Sequence, residues 1–195
     1  MTQSGADLAT PLPCIVSVVG LKKSGKTTVV TALLQELRSR GHHVSTVKKM
    51  EHATLSLDQE GTDTRLHADA GAEVVVALLA GETVRFERSG QAAPLRDLLR
   101  LFPRDTAFLV CEGIVDPRAA QLIVLCLCSF NDLAETLEVR GIQPGSVLAV
   151  SGVAAAGTVR ERTPGLLDVP MFDATDAAQR RALVDLLIEK AYPDA

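Results

Sequence analysis

The stretch Gly20-Leu21-Lys22-Lys23-Ser24-Gly25-Lys26-Thr27 constrains this chain more than any other, because it satisfies GxxxxGK[ST] between an apolar run and a helical pattern. Cys14-Ile15-Val16-Ser17-Val18-Val19 leads into it as a strand, and a helix is predicted from near Thr28. Gly20 and Gly25 allow the backbone to turn tightly and to approach an oxyanion with no Cβ in the way. Successive N–H groups in such a turn form an anion-binding concavity, and the start of the following helix adds unpaired donors and a positive dipole end. Lys26 is then placed to reach the outer phosphates of a nucleotide, and the Thr27 hydroxyl to hold the Mg²⁺ that accompanies them. Lys22, Lys23, Ser24 and Thr28 complete the candidate phosphate-contacting set.

A phosphate loop needs a sheet to stand on, and the composition supplies one. Nearly half of the 195 residues are apolar while only 3% are aromatic, so the core must be built from Val, Leu, Ile and Ala, as suits buried parallel strands under helices. The formal charge of −4 is spread in mixed sign, which gives no electrostatic case for a nucleic-acid or anionic-membrane surface. The longest apolar run, residues 122–128, is far short of the roughly 18 residues of a membrane span. Residues 1–13 carry no positively charged region before an apolar core, so they read as a flexible leader rather than a secretory signal, and residues 14–195 as a single nucleotide-binding domain. Cys14, Cys111, Cys126 and Cys128 lie in strand-like runs without a CxxC pair; Cys126 and Cys128, two apart, are expected on one side of a strand as buried thiols of a cytoplasmic protein.

Along the chain, Val29, Val30, Leu33, Leu34 and Leu37 form one apolar stripe at helical spacing, closed by Arg38, Arg40 and Gly41. Residues 44–47 read as a second strand, parallel to the first because the crossover between them is right-handed. His42 and His43 read as solvated turn residues. The segment 48–71 is polar, with a short helix over 62–70, and lies where ligands bind in open α/β sheets, after the carboxyl end of a strand. Residues 73–79 and 83–87 predict an apolar strand and a half-exposed antiparallel partner across the Gly81 turn. Pro94 opens a short helix carrying Leu95, Leu98, Leu99 and Leu101.

Residues 107–111 give a buried strand that ends at Glu112-Gly113. A carboxylate at that end, downstream of a phosphate loop, is where a Mg²⁺-organising acid is expected, usually through water; the alternative is a carboxylate capping a neighbouring turn. Residues 122–128 and 147–150 supply two more strands, 131–139 the helix between them, and 175–191 a terminal helix with Ala182, Leu183, Leu186 and Leu187 inward. The order predicts an α/β P-loop fold of three layers, its sheet mostly parallel with one or two added antiparallel strands.

Taken together, GLKKSGKTT, Thr46-Val47-Lys48, Asp58 with Gly61-Thr62-Asp63-Thr64-Arg65, Ala70-Gly71-Ala72 and Cys111-Glu112-Gly113 resemble the MobB family, the molybdopterin-guanine dinucleotide biosynthesis adapter proteins. The resemblance runs from about Cys14 to the terminal helix. It implies a P-loop NTPase of the kind shared with dimeric metal- and cofactor-handling GTPases, binding GTP with Mg²⁺, hydrolysing it weakly, forming a homodimer and assisting the guanylyltransferase that attaches GMP to molybdopterin. On that reading Asp63 joins Gly20, Gly25 and the other loop residues at the nucleotide, and Lys26, Glu112 and Arg65 are the candidates for transition-state work. Two blocks depart from the pattern: Lys48-Lys49-Met50-Glu51-His52 lacks the usual His after the first lysine, and Gly61-Thr62-Asp63-Thr64 replaces GKDS, without its lysine.

Catalytic power is not written into these residues. Arginine supplied to a phosphoryl transition state is worth about 10³ to 10⁵ in rate, and Arg65 has an equally good reading as an ion-paired surface residue. No glutamine is marked out to orient water, and no NKxD sequence reads guanine, so slow hydrolysis is expected and the preference for GTP follows only from the resemblance. A small-molecule kinase using ATP is the competing class, with Asp58 or Asp63 as base and Arg160-Glu161-Arg162 as the trace of a lid.

Overall fold

The computed structural model describes residues 12–50, 62–87, 93–157 and 167–193. Two compact units divide the chain, one drawn from Met1–Lys49 with Leu99–Ala195 and the other from Met50–Leu98. The first is a five-stranded sheet. Its strands are β1 (Cys14–Gly20), β2 (Val44–Lys48), β5 (Phe108–Glu112), β6 (Leu122–Cys126) and β7 (Val147–Ser151), ordered β2-β5-β1-β6-β7 and all parallel. The second unit contributes β3 (Val74–Leu79) and β4 (Glu82–Glu87), an antiparallel pair, with α2 (Asp63–Asp69) and α3 (Leu95–Leu98). The expected α/β architecture, mostly parallel with two antiparallel strands, is what forms.

Alternation along β1 sets the layers. Val16 and Val18 point to the face covered by α1 (Lys26–Ser39) and α5 (Ala177–Ala191), in one core with Leu33, Leu37, Phe108, Val124, Leu183 and Leu187. Val19 points the other way, into a core with Leu125, Leu127, Val150 and, from α4 (Leu133–Arg140), Leu133 and Leu137. Each fully buried Leu or Val contributes about 1.5 to 3 kcal/mol, so α1 is held by its apolar stripe rather than by its ends. On that stripe Val29, Val30, Leu33 and Leu37 are buried together with Ala32, while Leu34 is half-buried.

Several elements differ in detail from the sequence expectation. β2 is parallel to β1 in one sheet, as expected, and β5 lies between them, pairing Cys14 with Phe108 on one side and Val44 with Phe108 on the other. β6 ends at Cys126, where the Leu127 N–H turns to the Ser151 carbonyl, so Cys128 lies beyond the strand and does not share a face with Cys126. The Cys128 thiol instead donates to the Lys22 carbonyl, 3.6 Å away. On α5 the inward stripe is Leu183, Val184 and Leu187, with Leu186 half-buried against the same core; Ala182 is exposed. β3 buries only Val75 and leaves Val76 and Leu78 open, since a two-stranded sheet has two faces and its own chain covers one of them incompletely. His42 is not a free turn residue: its ring meets Phe108 edge-on, with centroids 5.1 Å apart. His43 pairs through Nδ1 with Asp105.

All four cysteines are free thiols. Burial pushes Cys14 up to about 11 and Cys111 and Cys126 up to about 12, so these three are protonated packing residues at neutral pH. No helix among the described residues is long and apolar enough to cross a membrane.

Candidate functional site

The loop between β1 and α1 is shaped by three glycines, of which the motif names two. A Cβ on Gly20 would stand 2.1 Å from the Cys126 carbonyl oxygen, because β1 and β6 pair up to that residue. Gly25 adopts φ +87°, and Lys23 also lies in the left-handed region at φ 66°. Two such turns fold the main chain back over the start of α1. The third glycine is Gly152, after β7, with φ +87°: its ideal Cβ would fall 2.2 Å from the Ser24 carbonyl oxygen. The Val153 N–H donates to that same oxygen at 3.2 Å, so the end of β7 braces the loop from below. Gly152 carried no motif signal; a glycine immediately after a buried strand was its only trace.

α1 begins without a side-chain cap, since its N-cap is Gly25. The first N–H groups of a helix have no intrahelical acceptor, and here they open toward the loop. Ser24 is fully buried and its hydroxyl has no hydrogen-bond partner among the described residues. Lys26 folds its Nζ onto the Leu21 carbonyl at 2.6 Å, across the concavity. Lys22 and Lys23 are exposed on the rim, and Thr28 is exposed on the first turn of α1.

At the floor of the loop two sequence-predicted residues meet. The Thr27 hydroxyl donates to Glu112 Oε1 at 2.8 Å, across 85 residues of chain. Parallel pairing places Glu112 beside Val18 of β1 and beside Lys48 of β2, at the carboxyl edge of the sheet. Lys48 Nζ approaches the same Oε1 at 3.1 Å, and the Lys49 N–H donates to the Glu112 carbonyl. Glu112 is only 7% exposed, so it is a nearly buried carboxylate shared between a hydroxyl and an ammonium. In the sequence Lys48 stood in the polar run and in the Thr46-Val47-Lys48 block, with no link to Glu112.

Hydroxyl and carboxylate oxygens are the hard donors that Mg²⁺ takes, and that ion keeps several waters rather than demanding an all-protein cage. The pair Thr27 and Glu112 therefore fits Mg²⁺, and the glycine-lined concavity above it fits a row of phosphate oxygens.

A cleft of about 420 Å³ continues from the loop along α1, lined by Thr28, Thr31, Gln35, Ala174, Thr175 and Arg180 among others. Its far wall is fixed by Asp173. Burial opposes ionisation of this carboxyl, yet hydrogen bonds from the Thr175 hydroxyl and from the Gly157, Thr175 and Asp176 N–H groups hold it below the usual carboxylate range. Its own N–H donates to Gln179 Oε1, and the Ser151 hydroxyl donates to the Phe172 carbonyl, tying the wall to β7 and α5. A larger cleft, about 600 Å³, opens at the amino-terminal end of the strands beside Pro13, Cys14 and Tyr192, and no loop residue lines it.

Asp63 and Arg65 belong to the second unit. Thr62 caps α2 through the Arg65 N–H, Asp63 sits in its first turn, and Arg65 Nε holds both carboxylate oxygens of Asp69 at 2.9 Å. The ion-paired reading of Arg65 is thus the one its side chain adopts. Asp58, His52, Gly61 and the Arg160-Glu161-Arg162 trace lie outside the described residues, as do residues 1–11 of the leader.

Fold and loop together define an α/β protein with the P-loop NTPase fold. The family profile described as MobB, molybdopterin guanine dinucleotide synthesis protein B, matches residues 15–133, and the chain belongs to that family. A curated relative from Bacillus subtilis (strain 168), described as a probable molybdopterin-guanine dinucleotide biosynthesis adapter protein, is 28% identical over 148 residues, covering 73% of this chain and 78% of that protein. The crystal structure of Bacillus subtilis MobB superposes with a TM-score of 0.64 at 24% identity, over 89% of this chain and 97% of that one. A MobB homologue from Bacillus stearothermophilus gives 0.61 at 22%, over 92% and 98%. These likenesses carry the fold, and they span nearly the whole of both neighbours.

Proposed function

We propose that this chain is a GTP-binding adapter with slow GTPase activity that assists the attachment of GMP to molybdopterin in the biosynthesis of molybdopterin guanine dinucleotide. The observation that carries the nucleotide part is the meeting of Thr27 with Glu112 at 2.8 Å beneath the loop headed by Lys26. Hydroxyl, buried carboxylate and loop lysine are the three groups a triphosphate with Mg²⁺ requires, and they come together from two separate parts of the chain, the adjacent Lys26 and Thr27 and the distant Glu112. Membership of the MobB family supports the pathway, and the description of the Bacillus subtilis relative supports the adapter role.

In this reading the loop N–H groups and Lys26 bind and orient the phosphates, with Gly20, Lys22, Lys23, Ser24, Gly25 and Thr28 around them. Lys26 leaves the Leu21 carbonyl to do so. Thr27 and Glu112 would hold Mg²⁺, which neutralises charge between the outer phosphates when bound. The nucleoside extends along the cleft beside Thr31, Gln35 and Thr175. Arg65 Nε is bound to Asp69, and no glutamine is marked out to orient water, so hydrolysis is slow and the protein works as a binding element. Asp63 remains a proposed nucleotide contact, and homodimerisation and a cytoplasmic setting complete the proposal.

Phosphate release from GTP and ATP by the purified protein, with and without hydroxyl acceptors, separates this function from a kinase. The adapter predicts slow release, tighter binding of GTP and no response to acceptors. Fast turnover that depends on an acceptor would establish the kinase instead.

A further inference from the structure

The Lys48–Glu112 contact is not part of the phosphate loop, yet it engages the same oxygen that receives Thr27. Lys48 closes β2, and register with β5 sets it directly beside Glu112. Its Nζ stands 3.1 Å from Oε1, while Thr27 Oγ1 stands 2.8 Å from the same atom. The carboxylate is nearly buried, with a side chain 9% exposed, whereas the lysine side chain is 55% exposed. One partner is fixed and the other has water to withdraw into. A divalent cation held through Thr27 and Glu112 would lie within a few ångströms of that ammonium, where two positive charges repel.

We propose that Lys48 is a positioning residue that sets the metal dependence of nucleotide binding, its ammonium and a divalent cation occupying Glu112 in turn. The inference rests on the reading of the loop as a site for a nucleoside triphosphate with Mg²⁺. Metal then binds only after displacing a built-in cation, so the metal requirement of the site is higher than its oxygen donors alone would give. The competition is a linkage: whatever factor the lysine contact contributes is the factor by which apparent metal affinity is reduced. For a charge-assisted contact with one half-exposed partner that factor is about three- to tenfold. The contact of Lys26 is a different one, its Nζ lying on the Leu21 carbonyl rather than on Glu112.

The test uses full-length protein, a fluorescent GTP analogue and MgCl₂. Affinity is measured with chelator and with saturating Mg²⁺, and the Mg²⁺ midpoint is read at saturating nucleotide, for wild type, Lys48→Met, Lys48→Gln and Lys48→Arg. The expected result is a midpoint lowered about three- to tenfold in both neutral variants and held within twofold of wild type in Lys48→Arg. Thermal melts accompany each, and the two neutral side chains guard against one failing to fold. A midpoint that is unchanged or raised in the neutral variants, with wild type binding GTP normally, overturns the role of Lys48 alone. A merely structural lysine would weaken binding with and without metal by the same factor, which also overturns it. Failure of wild type to bind the analogue under either condition removes the nucleotide reading and this inference with it.

Discussion

Replacing Gly152 by alanine tests whether β7 holds the phosphate loop in shape. At φ 87° and ψ −157° this residue occupies a region that is essentially confined to glycine, at a cost of about 1 to 3 kcal/mol for any other residue. The new Cβ would also lie 2.2 Å from the Ser24 carbonyl oxygen and 3.1 Å from the Cys126 Cβ, both fixed parts of the structure. The Ser24 carbonyl must move, which breaks its 3.2 Å bond from the Val153 N–H and costs about 1 kcal/mol more. The sum, about 2 to 4 kcal/mol, corresponds to a fall in melting temperature of roughly 5 to 15 °C for a chain of this size. Because Ser24 precedes Gly25 and Lys26, triphosphate affinity should fall as well, beyond what unfolding accounts for at a temperature where the variant is folded. Gly141→Ala is the control: it shares a positive φ of 62° but has nothing within 4 Å, so it should cost stability alone. Differential scanning calorimetry and fluorescence titration read the two quantities. A Gly152→Ala protein that melts and binds like wild type, or like Gly141→Ala, would refute the bracing of the loop.

Lys26→Ala removes a charge-assisted contact of about 1.5 to 3 kcal/mol, so triphosphate affinity should drop at least about tenfold while the melting temperature stays near wild type; unchanged affinity would contradict the placement of Lys26. Glu112→Gln should reduce the Mg²⁺ dependence of binding and hydrolysis more than affinity for nucleotide, whereas loss of the fold would make the carboxylate a structural cap. Asp173 has its carboxyl held below its usual range, so its stabilisation is complete above about pH 4 and is lost as pH falls through the folded value. Asp173→Asn should therefore lower stability at pH 7 and flatten the acid limb of a denaturation profile; an unchanged profile would show those hydrogen bonds to contribute nothing.

The loop and its strand were legible because their signals are local. Glycine positions, the apolar run from Cys14 and the stripe from Val29 to Leu37 each report on a few neighbouring residues, and each appears where the pattern puts it. Glu112 was legible for a related reason, being the first acidic residue after a buried run, and the structure joins it to Thr27. What escaped was non-local. Nothing in residues 44–48 says that β5 will come between β2 and β1, and without that order the Lys48–Glu112 contact has no basis. Gly152 acts through Ser24, more than a hundred residues earlier, and Asp173 acts by closing a turn beside Gly157. The apolar run through Cys128 outlasted its strand because alternation and composition do not mark where a ladder bond turns aside, here at Leu127. Family resemblance reached further than periodicity did, since the spacing of several blocks identifies a lineage even where two of them have diverged.

The central claim is that the main chain around Gly25 grips a row of phosphate oxygens with Lys26, Thr27 and Glu112 beneath them. Isothermal titration of the protein with GTP and with ATP in the presence of Mg²⁺ tests it most directly. Saturable binding near one nucleotide per chain, tighter for GTP and weakened when Mg²⁺ is chelated, is the predicted result. A titration of folded protein that shows neither heat nor saturation with either nucleotide would contradict it.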